Sequence, residues 1–203
     1  MKKLIVLFAM FLMTGTGLFA ATGTPITLGA RAYVGASNIN TGDESIGYAL
    51  AYGFGGICKL GITNDLSLRA EVLGAFKGAK GSYNIAGYKF DNTIHLTYLE
   101  VPVLAEYNLG SNNGIFFGPY FAFKLNSSND NDLNKTLTSL GVKFDDFLND
   151  YVKDTDIGLT AGIEHNIGKS ATIDLRGNYG LTHIVDNSDY INYSFALGIN
   201  FYF

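Results

Sequence analysis

Residues 191–203, INYSFALGINFYF, carry the pattern that decides the fold. Large apolar residues occupy every second position of this segment, and the positions between them are small or polar except for Tyr202. A period of two places all the large apolar side chains on one face of an extended chain. The segment therefore predicts a β-strand with one strongly apolar face.

The same alternation recurs upstream, in a chain of 203 residues with 25 glycines and 14% aromatic residues. Seven further segments alternate in this way: 26–37, 46–61, 66–77, 93–109, 115–126, 155–167 and 171–182. The length is that of a single domain. We therefore expect eight strands joined as consecutive hairpins.

The predicted connections alternate in length. Those at 63–65, 110–114 and 168–170 are short, and those at 38–44, 78–92, 126–154 and 183–190 are longer. Short and long connections would then lie at opposite rims, as in outer-membrane barrels. The prediction is an all-β fold, an eight-stranded antiparallel up-and-down transmembrane β-barrel. The alternative is a soluble periplasmic ligand-binding barrel. Such a barrel has no comparable reason to place short and long connections at opposite rims.

Charge placement indicates which face meets lipid. The apolar register of the eight strands carries no Lys, Arg, Asp or Glu. The other register carries six bases and six acids: Arg31, Lys59, Arg69, Lys77, Lys124, Arg176, Glu71, Glu100, Glu106, Asp156, Glu164 and Asp174. A charge at mid-depth on a lipid-facing barrel wall costs about 2–4 kcal/mol. We therefore expect the charged register to face the lumen.

The charged register is otherwise rich in small residues: Gly29, Gly35, Gly47, Ala49, Ala51, Gly53, Gly55, Gly118, Ala122, Gly158, Gly162, Asn178, Gly180, Ala196 and Gly198. An eight-stranded barrel is just wide enough to be filled by side chains, so long residues need small ones opposite. The sequence predicts paired charges packed across the lumen, which form a plug and not a pore.

Aromatic residues on the apolar register indicate two interfacial girdles. One lies near the short-turn rim (Tyr107, Phe117, Phe201, Phe203) and one nearer the other rim (Tyr48, Phe76, Phe123, Tyr179, Tyr193). Pro102 and Pro119 fall inside predicted strands, where each removes a ladder hydrogen bond. We expect a bulge or break near each, and a change of face in the fourth strand around Tyr98 and Leu99.

The N-terminus has the layout of a secretory signal peptide: Lys2 and Lys3, an apolar stretch, then small residues. We assign residues 1–21 to the signal peptide, without choosing a cleavage site, and 22–203 to the barrel domain. The only cysteine, Cys58, excludes a disulfide framework and is interpreted as a small packing residue. A formal net charge of −4 argues against nucleic-acid binding.

The longest connection, 126–154, is the best candidate for a surface ligand. Apolar residues from 133 to 151 recur at helical spacing and predict a short surface helix. Its aspartates are candidate ligands for Ca²⁺ or for divalent-linked lipopolysaccharide, namely Asp130, Asp132, Asp145, Asp146 and Asp150. The Gly and terminal Glu of an EF-hand are missing, which favours a solvated acidic loop. Residues 78–92, with their aromatics, are a second possible contact surface.

Catalysis has little support in the sequence. His183 with Ser188 is the nearest arrangement to a lipid-A-modifying hydrolase, but no third partner is evident. His95, His165 and His183 fall on different strands or rims, so a shared metal site is not expected. We predict a protein that is not an enzyme, with no catalytic, cofactor or metal site.

Four motifs carry a family resemblance: residues 98–103 (YLEVPV), 117–120 (FGPY), 156–159 (DIGL) followed by Gly162, and 176–182 (RGNYGLT). Together they resemble the small outer-membrane β-barrel family called PorT-like or "porin family" proteins. The terminal Phe203 also resembles the end of the C-terminal strand by which such barrels are recognised for assembly. The resemblance implies an outer-membrane protein of Gram-negative-type bacteria and brings no catalytic residues.

The expected function is a structural or surface-interaction role through extracellular loops at the bacterial outer membrane. The alternatives are a narrow diffusion channel and, behind it, a lipid-A-modifying enzyme. Expected partners are outer-membrane lipid and lipopolysaccharide, the barrel assembly machinery through the strand ending in Phe203, and a surface ligand at loop 126–154. No nucleic acid and no cofactor is expected.

Overall fold

The computed structural model describes residues 25–40, 46–85, 88–130, 152–185 and 189–203. These ranges contain eight strands: β1 (Ile26–Asn40), β2 (Ile46–Gly61), β3 (Leu66–Ile85), β4 (Tyr88–Leu109), β5 (Asn113–Asp130), β6 (Thr155–Asn166), β7 (Ala171–Gly180) and β8 (Ile191–Tyr202). Among these residues, no helix has the length and apolar character needed to cross a membrane. The signal peptide predicted at 1–21 and the surface helix predicted within 133–151 lie outside the described residues.

The eight strands form one closed antiparallel barrel. Each strand pairs with its neighbours in sequence, and β1 closes the barrel by pairing with β8 from Gly29↔Tyr202 to Asn40↔Ile191. The predicted count and hairpin order are confirmed. At the turn between β4 and β5, Gly110 has φ +80°, a left-handed conformation that glycine adopts without steric cost.

Several strands continue beyond their predicted ends. β5 runs to Asp130, so residues 126–130 of the connection predicted at 126–154 belong to the strand. β3 runs to Ile85 and β4 starts at Tyr88, with pairing continuous up to Ile85↔Tyr88. The long connection predicted at 78–92 was therefore wrong. A membrane needs only about 9–11 residues per strand, and β3 and β4 have 20 and 22. Where a strand leaves lipid its apolar alternation is no longer required, so the sequence signal ends before the strand does.

The predicted register is confirmed by burial. Arg69 is fully buried and Glu106 is 1% exposed, whereas large apolar side chains on the other register lie open. That open set includes Leu28, Val34, Phe54, Ile115, Phe117, Ile163, Leu175, Leu197 and Phe201. Val101 has the outward register but is only 5% exposed, since its wall position faces Phe121 on the next strand.

Aromatic residues mark both rims on the outer wall. Tyr48 and Tyr193 contact edge to face with centroids 5.8 Å apart, and Tyr52 stacks on Phe76 at 4.7 Å, all toward the rim opposite the short turns. At the short-turn rim the exposed aromatics are Tyr107, Phe117, Phe201 and Phe203. Aromatic side chains of this kind are typical at the two membrane–water interfaces.

The prolines interrupt pairing without moving the register. Pairing between β3 and β4 stops beside Pro102, and pairing between β4 and β5 stops beside Pro119, but the register is the same on both sides of each gap. The register shifts lie elsewhere, between Thr97 and Tyr98 in the β4–β5 ladder and after Tyr48 in the β2–β3 ladder. The expected change of face in β4 was wrong, because its even-numbered residues stay inward throughout the described part.

Inward glycines lie against large inward side chains. A Cβ added to Gly162 would lie 2.3 Å from the Phe116 ring and 2.3 Å from the Leu175 carbonyl oxygen. A Cβ on Gly158 would lie 2.5 Å from the ring of Tyr120. The predicted complementarity of long and small residues is thus confirmed, and it leaves the lumen filled.

We expect Gly162→Val to destabilise the barrel by about 1–3 kcal/mol, because its side chain overpacks the lumen. Gly56→Val is the matched control, since Gly56 faces outward with nothing nearer than 4.0 Å to its added Cβ. The measurement is urea unfolding of each variant refolded into lipid vesicles. Equal midpoints for the two variants would contradict the filled lumen.

Candidate functional site: the lumen and its mouth

Three arginines converge on one carboxylate inside the barrel. Arg176 donates to both oxygens of Glu71, at 2.8 Å from Nη1 and 2.7 Å from Nη2. Arg69 Nε lies 3.1 Å from Glu71 Oε1, and Arg31 Nε lies 3.9 Å from Oε2. All four side chains are at most 2% exposed. Such a concentration of positive charge out of water requires further carboxylates nearby.

Arg31 has its own carboxylate partner across the barrel closure. Its two terminal nitrogens both donate to Asp174, and Nη1 also donates to Asn200 Oδ1 at 2.9 Å. Asn200 in turn donates to Thr172 and Asp174 at 2.9 Å. A bidentate arginine pair is geometrically specific, so this contact fixes β1 against β7 and β8.

Arg69 bridges two further carboxylates. Its Nη1 lies 2.7 Å from Glu164 Oε2 and 3.1 Å from Glu106 Oε2. Lys59, whose side chain is 22% exposed, also contacts Glu106. The network thus contains four cations and four carboxylates: Arg31, Lys59, Arg69, Arg176, Glu71, Glu106, Glu164 and Asp174. The formal charges balance.

Aromatic rings complete the network. Phe116 lies beneath both Arg69 and Arg176, with guanidinium carbons 4.5 and 5.1 Å from its centroid, and Arg31 lies 5.5 Å from the ring of Tyr33. Cation–π contacts of this kind gain strength out of water. Sequence analysis did not assign these inward aromatics, although Tyr33 has the same parity as Arg31 and could have been found that way.

A second, smaller polar cluster lies nearer the long-connection rim. Lys77 pairs with Glu100 and lies 4.9 Å from the centroid of Tyr120. The buried carboxylate of Asp156 accepts hydrogen bonds from Tyr120 Oη at 3.2 Å and Asn192 Nδ2 at 3.0 Å. Every charge predicted for the lumen therefore lies inward, and Lys59 alone is more than slightly exposed among the described twelve.

An apolar cluster covers this second polar layer at the mouth. Val152 and Ile184, which belong to connections and not to strands, are 7% and 2% exposed. They pack with inward residues of the walls, namely Ile39, Ala75, Ala79, Leu96, Tyr98, Tyr120 and Ala122. Val152 pairs with Val185 as a β-bridge, and Lys153 N donates to Ile184 O at 2.8 Å. The two connections thus form a cap over the lumen.

The histidines considered for catalysis lie apart. His165 Nδ1 lies 2.9 Å from Asn113 Oδ1 at the short-turn rim, whereas His183 Nε2 is 3.7 Å from Asp189 at the opposite rim. Ser188 lies outside the described residues. Within the described ranges no three His, Cys, Asp or Glu side chains come close enough to hold a metal ion. Cys58 is a half-buried free thiol on the outward register.

A closed antiparallel barrel with an apolar outer wall and a charged, filled interior defines a small outer-membrane protein. Residues 26–186 match the family model of the outer membrane protein beta-barrel domain, and the chain belongs to this family. No curated protein sequence matches the chain.

The chain is similar in fold to a solved structure of Neisserial surface protein A, with a TM-score of 0.54, 12% identity, and coverage of 88% of this chain and 99% of that chain. Ail of Yersinia pestis aligns with a TM-score of 0.45 at 15% identity, covering 88% and 98%. OprG of Pseudomonas aeruginosa aligns at 0.45 and 8% identity, covering 88% and 95%.

We expect Glu71→Gln to destabilise the barrel by about 3–5 kcal/mol, because it leaves buried arginine charge uncompensated. The control is Lys59→Met, which removes a partly exposed cation. Its partner Glu106 still contacts Arg69, so we expect the free energy of unfolding to fall by about 1 kcal/mol or less. Urea unfolding in vesicles measures both. A smaller effect for Glu71→Gln than for Lys59→Met would contradict the central role of Glu71.

Proposed function

We propose that this outer-membrane protein has a structural or surface-interaction role, exerted at its extracellular rim and not by transport through its lumen. Outer-membrane barrels place short turns in the periplasm and long connections outside. The turns after β2, β4 and β6 are short, whereas the opposite rim carries the connection 131–154 and the projecting β3–β4 hairpin, so the short-turn rim is assigned to the periplasm. The mouth capped by Val152 and Ile184 is then the extracellular one.

The observation that carries this proposal is closure of the lumen at two levels. The lower level is the network around Glu71, in which Arg31 and Arg69 each contact more than one carboxylate and Arg176 donates two hydrogen bonds to Glu71. The upper level is the apolar cap over Lys77, Glu100 and Asp156. An ion would have to displace buried pairs at one level and lose its hydration at the other, and both steps are costly.

Two features of the extracellular side support a role in contacting a ligand: the extended β3–β4 hairpin and residues 131–151. Beyond Gly81, the last residue of β3 that pairs with β2, β3 continues for four residues paired with β4, about 13 Å of additional sheet. Residues 131–151 link Asp130, which pairs with Thr93, to Val152. Lys124 contacts the Val152 carbonyl and lies 3.4 Å from Asp154, so the returning end is held to the wall.

The proposal includes two further partners, lipopolysaccharide and the barrel assembly machinery. Lipopolysaccharide surrounds the extracellular rim of a barrel in this membrane and is the proposed neighbour of loop 126–154. Phe203 is 86% exposed, and its amide donates to Leu28 O at 2.9 Å, which leaves the terminal side chain accessible to the assembly machinery. We propose no enzymatic activity.

In planar lipid bilayers we expect the purified protein to give no stable discrete conductance, because both closures are formed by buried contacts. A porin reconstituted in parallel serves as the positive control. Folded insertion is verified by the difference in gel mobility before and after boiling. Reproducible unitary conductance would favour the narrow diffusion channel and overturn this proposal.

The contact role is tested by replacing residues 131–151 with a flexible Gly-Ser linker. We expect co-sedimentation with purified lipopolysaccharide in the presence of Ca²⁺ to fall about tenfold, since the aspartates between 132 and 150 are removed while Val152 and the cap remain. The control replaces 186–188 with Gly and Ser. Equal binding by wild type and both variants would contradict a contact role for loop 126–154.

A further inference from the structure

A groove crosses the lipid-facing wall of the barrel. It consists of two adjoining cavities of about 350 and 560 Å³, which share Ile163, Leu175 and Leu197 as walls. The first cavity opens at the periplasmic rim beside His165, and the second reaches Gly177 at the middle of the wall. Both volumes are within the range of small-molecule sites.

The groove exists because an outward position lacks a side chain. Gly177 lies on the outward register of β7, opposite Ala161 on β6 and Phe195 on β8. A Cβ added to Gly177 would meet only the Phe195 ring, at 3.7 Å. Ile163 and Leu175, 57% and 56% exposed, rise on its periplasmic side. The floor of the groove is therefore backbone and small residues, and its walls are bulky apolar side chains.

The periplasmic end of the groove is polar. There His165 Nδ1 lies 2.9 Å from Asn113 Oδ1, and Lys169 is exposed in the adjacent turn. His165 and Ala161 are four positions apart, which is about 13 Å along the strand. Because barrel strands tilt by about 35–45°, this length corresponds to about 10 Å along the membrane normal, within one half of the roughly 25 Å apolar band. The groove thus lies within one leaflet and runs from the headgroup level toward the midplane.

We propose that this groove binds a glycerophospholipid of the inner leaflet, with one acyl chain along Gly177 and Ile163 and the phosphate at Asn113, His165 and Lys169. The apolar walls match an acyl chain, and the ammonium of Lys169 with the Asn113 amide matches a phosphate. Lipopolysaccharide does not fit, because the groove opens at the periplasmic rim. A second barrel does not fit either, since a convex wall leaves a narrow groove unfilled and a stable interface needs about 1,000 Å² or more.

The proposal is tested on the whole protein by native mass spectrometry. Protein refolded in detergent is supplied with phosphatidylethanolamine, with phosphatidylglycerol, or with diacylglycerol, and the lipids retained per barrel are counted. Gly177→Leu fills the groove with an apolar side chain, and Gly56→Leu adds the same side chain to the outward wall elsewhere. We expect phospholipid retention to fall about tenfold in Gly177→Leu and to stay unchanged in Gly56→Leu.

A second pair of measurements tests the polar end. The double variant His165→Ala and Lys169→Ala leaves the groove open, so we expect it to lose the preference for phospholipid over diacylglycerol shown by wild type. Gel mobility before and after boiling confirms folding of each variant. If Gly177→Leu does not fold, Gly177→Ala replaces it, because the added Cβ makes only an ordinary contact with Phe195. The comparison of phospholipid with diacylglycerol then rests on the double variant His165→Ala and Lys169→Ala.

Three results would overturn the proposal. The first is equal phospholipid retention by Gly177→Leu and wild type, or an equal loss in Gly56→Leu. The second is equal retention of diacylglycerol and phospholipid by wild type, which would leave the rim residues without a role. The third is a wild-type dimer that Gly177→Leu abolishes, which would make the groove an interface between copies.

Discussion

Glu71 is the carboxylate on which three buried arginines depend, and the remainder of the barrel follows from keeping that group dry and neutralised. An uncompensated charge in a protein interior costs several kcal/mol, so each cation must find an acid on a different strand. Arg31 reaches Asp174 on β7, and Arg69 reaches Glu164 on β6. The network ties distant parts of the chain together and requires this register to face inward. The other register must then face outward, where its apolar side chains are stable in contact with lipid and not with water.

Filling the interior with long charged and aromatic side chains places a second demand on the sequence. Phe116 and Tyr120 occupy the space that Gly162 and Gly158 leave open, and the added Cβ distances of 2.3 and 2.5 Å allow nothing larger. Glycine is a poor strand residue in isolation. Its frequency on the inward register is therefore explained by the bulky inward residue paired with it on the neighbouring strand, and not by turn formation, which accounts for Gly110 alone among the residues discussed.

The sequence predicts the strand count, the hairpin order and the inward register because each depends on a local period of two. Contacts across the lumen are a different matter. Arg31 and Asp174 are 143 positions apart, and the strand tilt and stagger that bring them together are properties of the closed barrel. The extension of β3 to Ile85 was missed because apolar alternation reports burial and not pairing. The cap was missed because Val152 and Ile184 lie in connections without a periodic pattern.

The two closures differ in kind, and together they favour a role at the surface over transport. An ion passing the charged network must displace buried pairs such as Arg69 with Glu106 and Glu164, although the network offers it charged partners. An apolar cap cannot offer an ion any replacement for water. Because the cap is built from Val152 and Ile184, it joins the ends of two surface connections to the wall. The same residues that close the lumen therefore bind the two connections to each other where they meet the wall, through the Val152–Val185 bridge and the Lys153–Ile184 hydrogen bond.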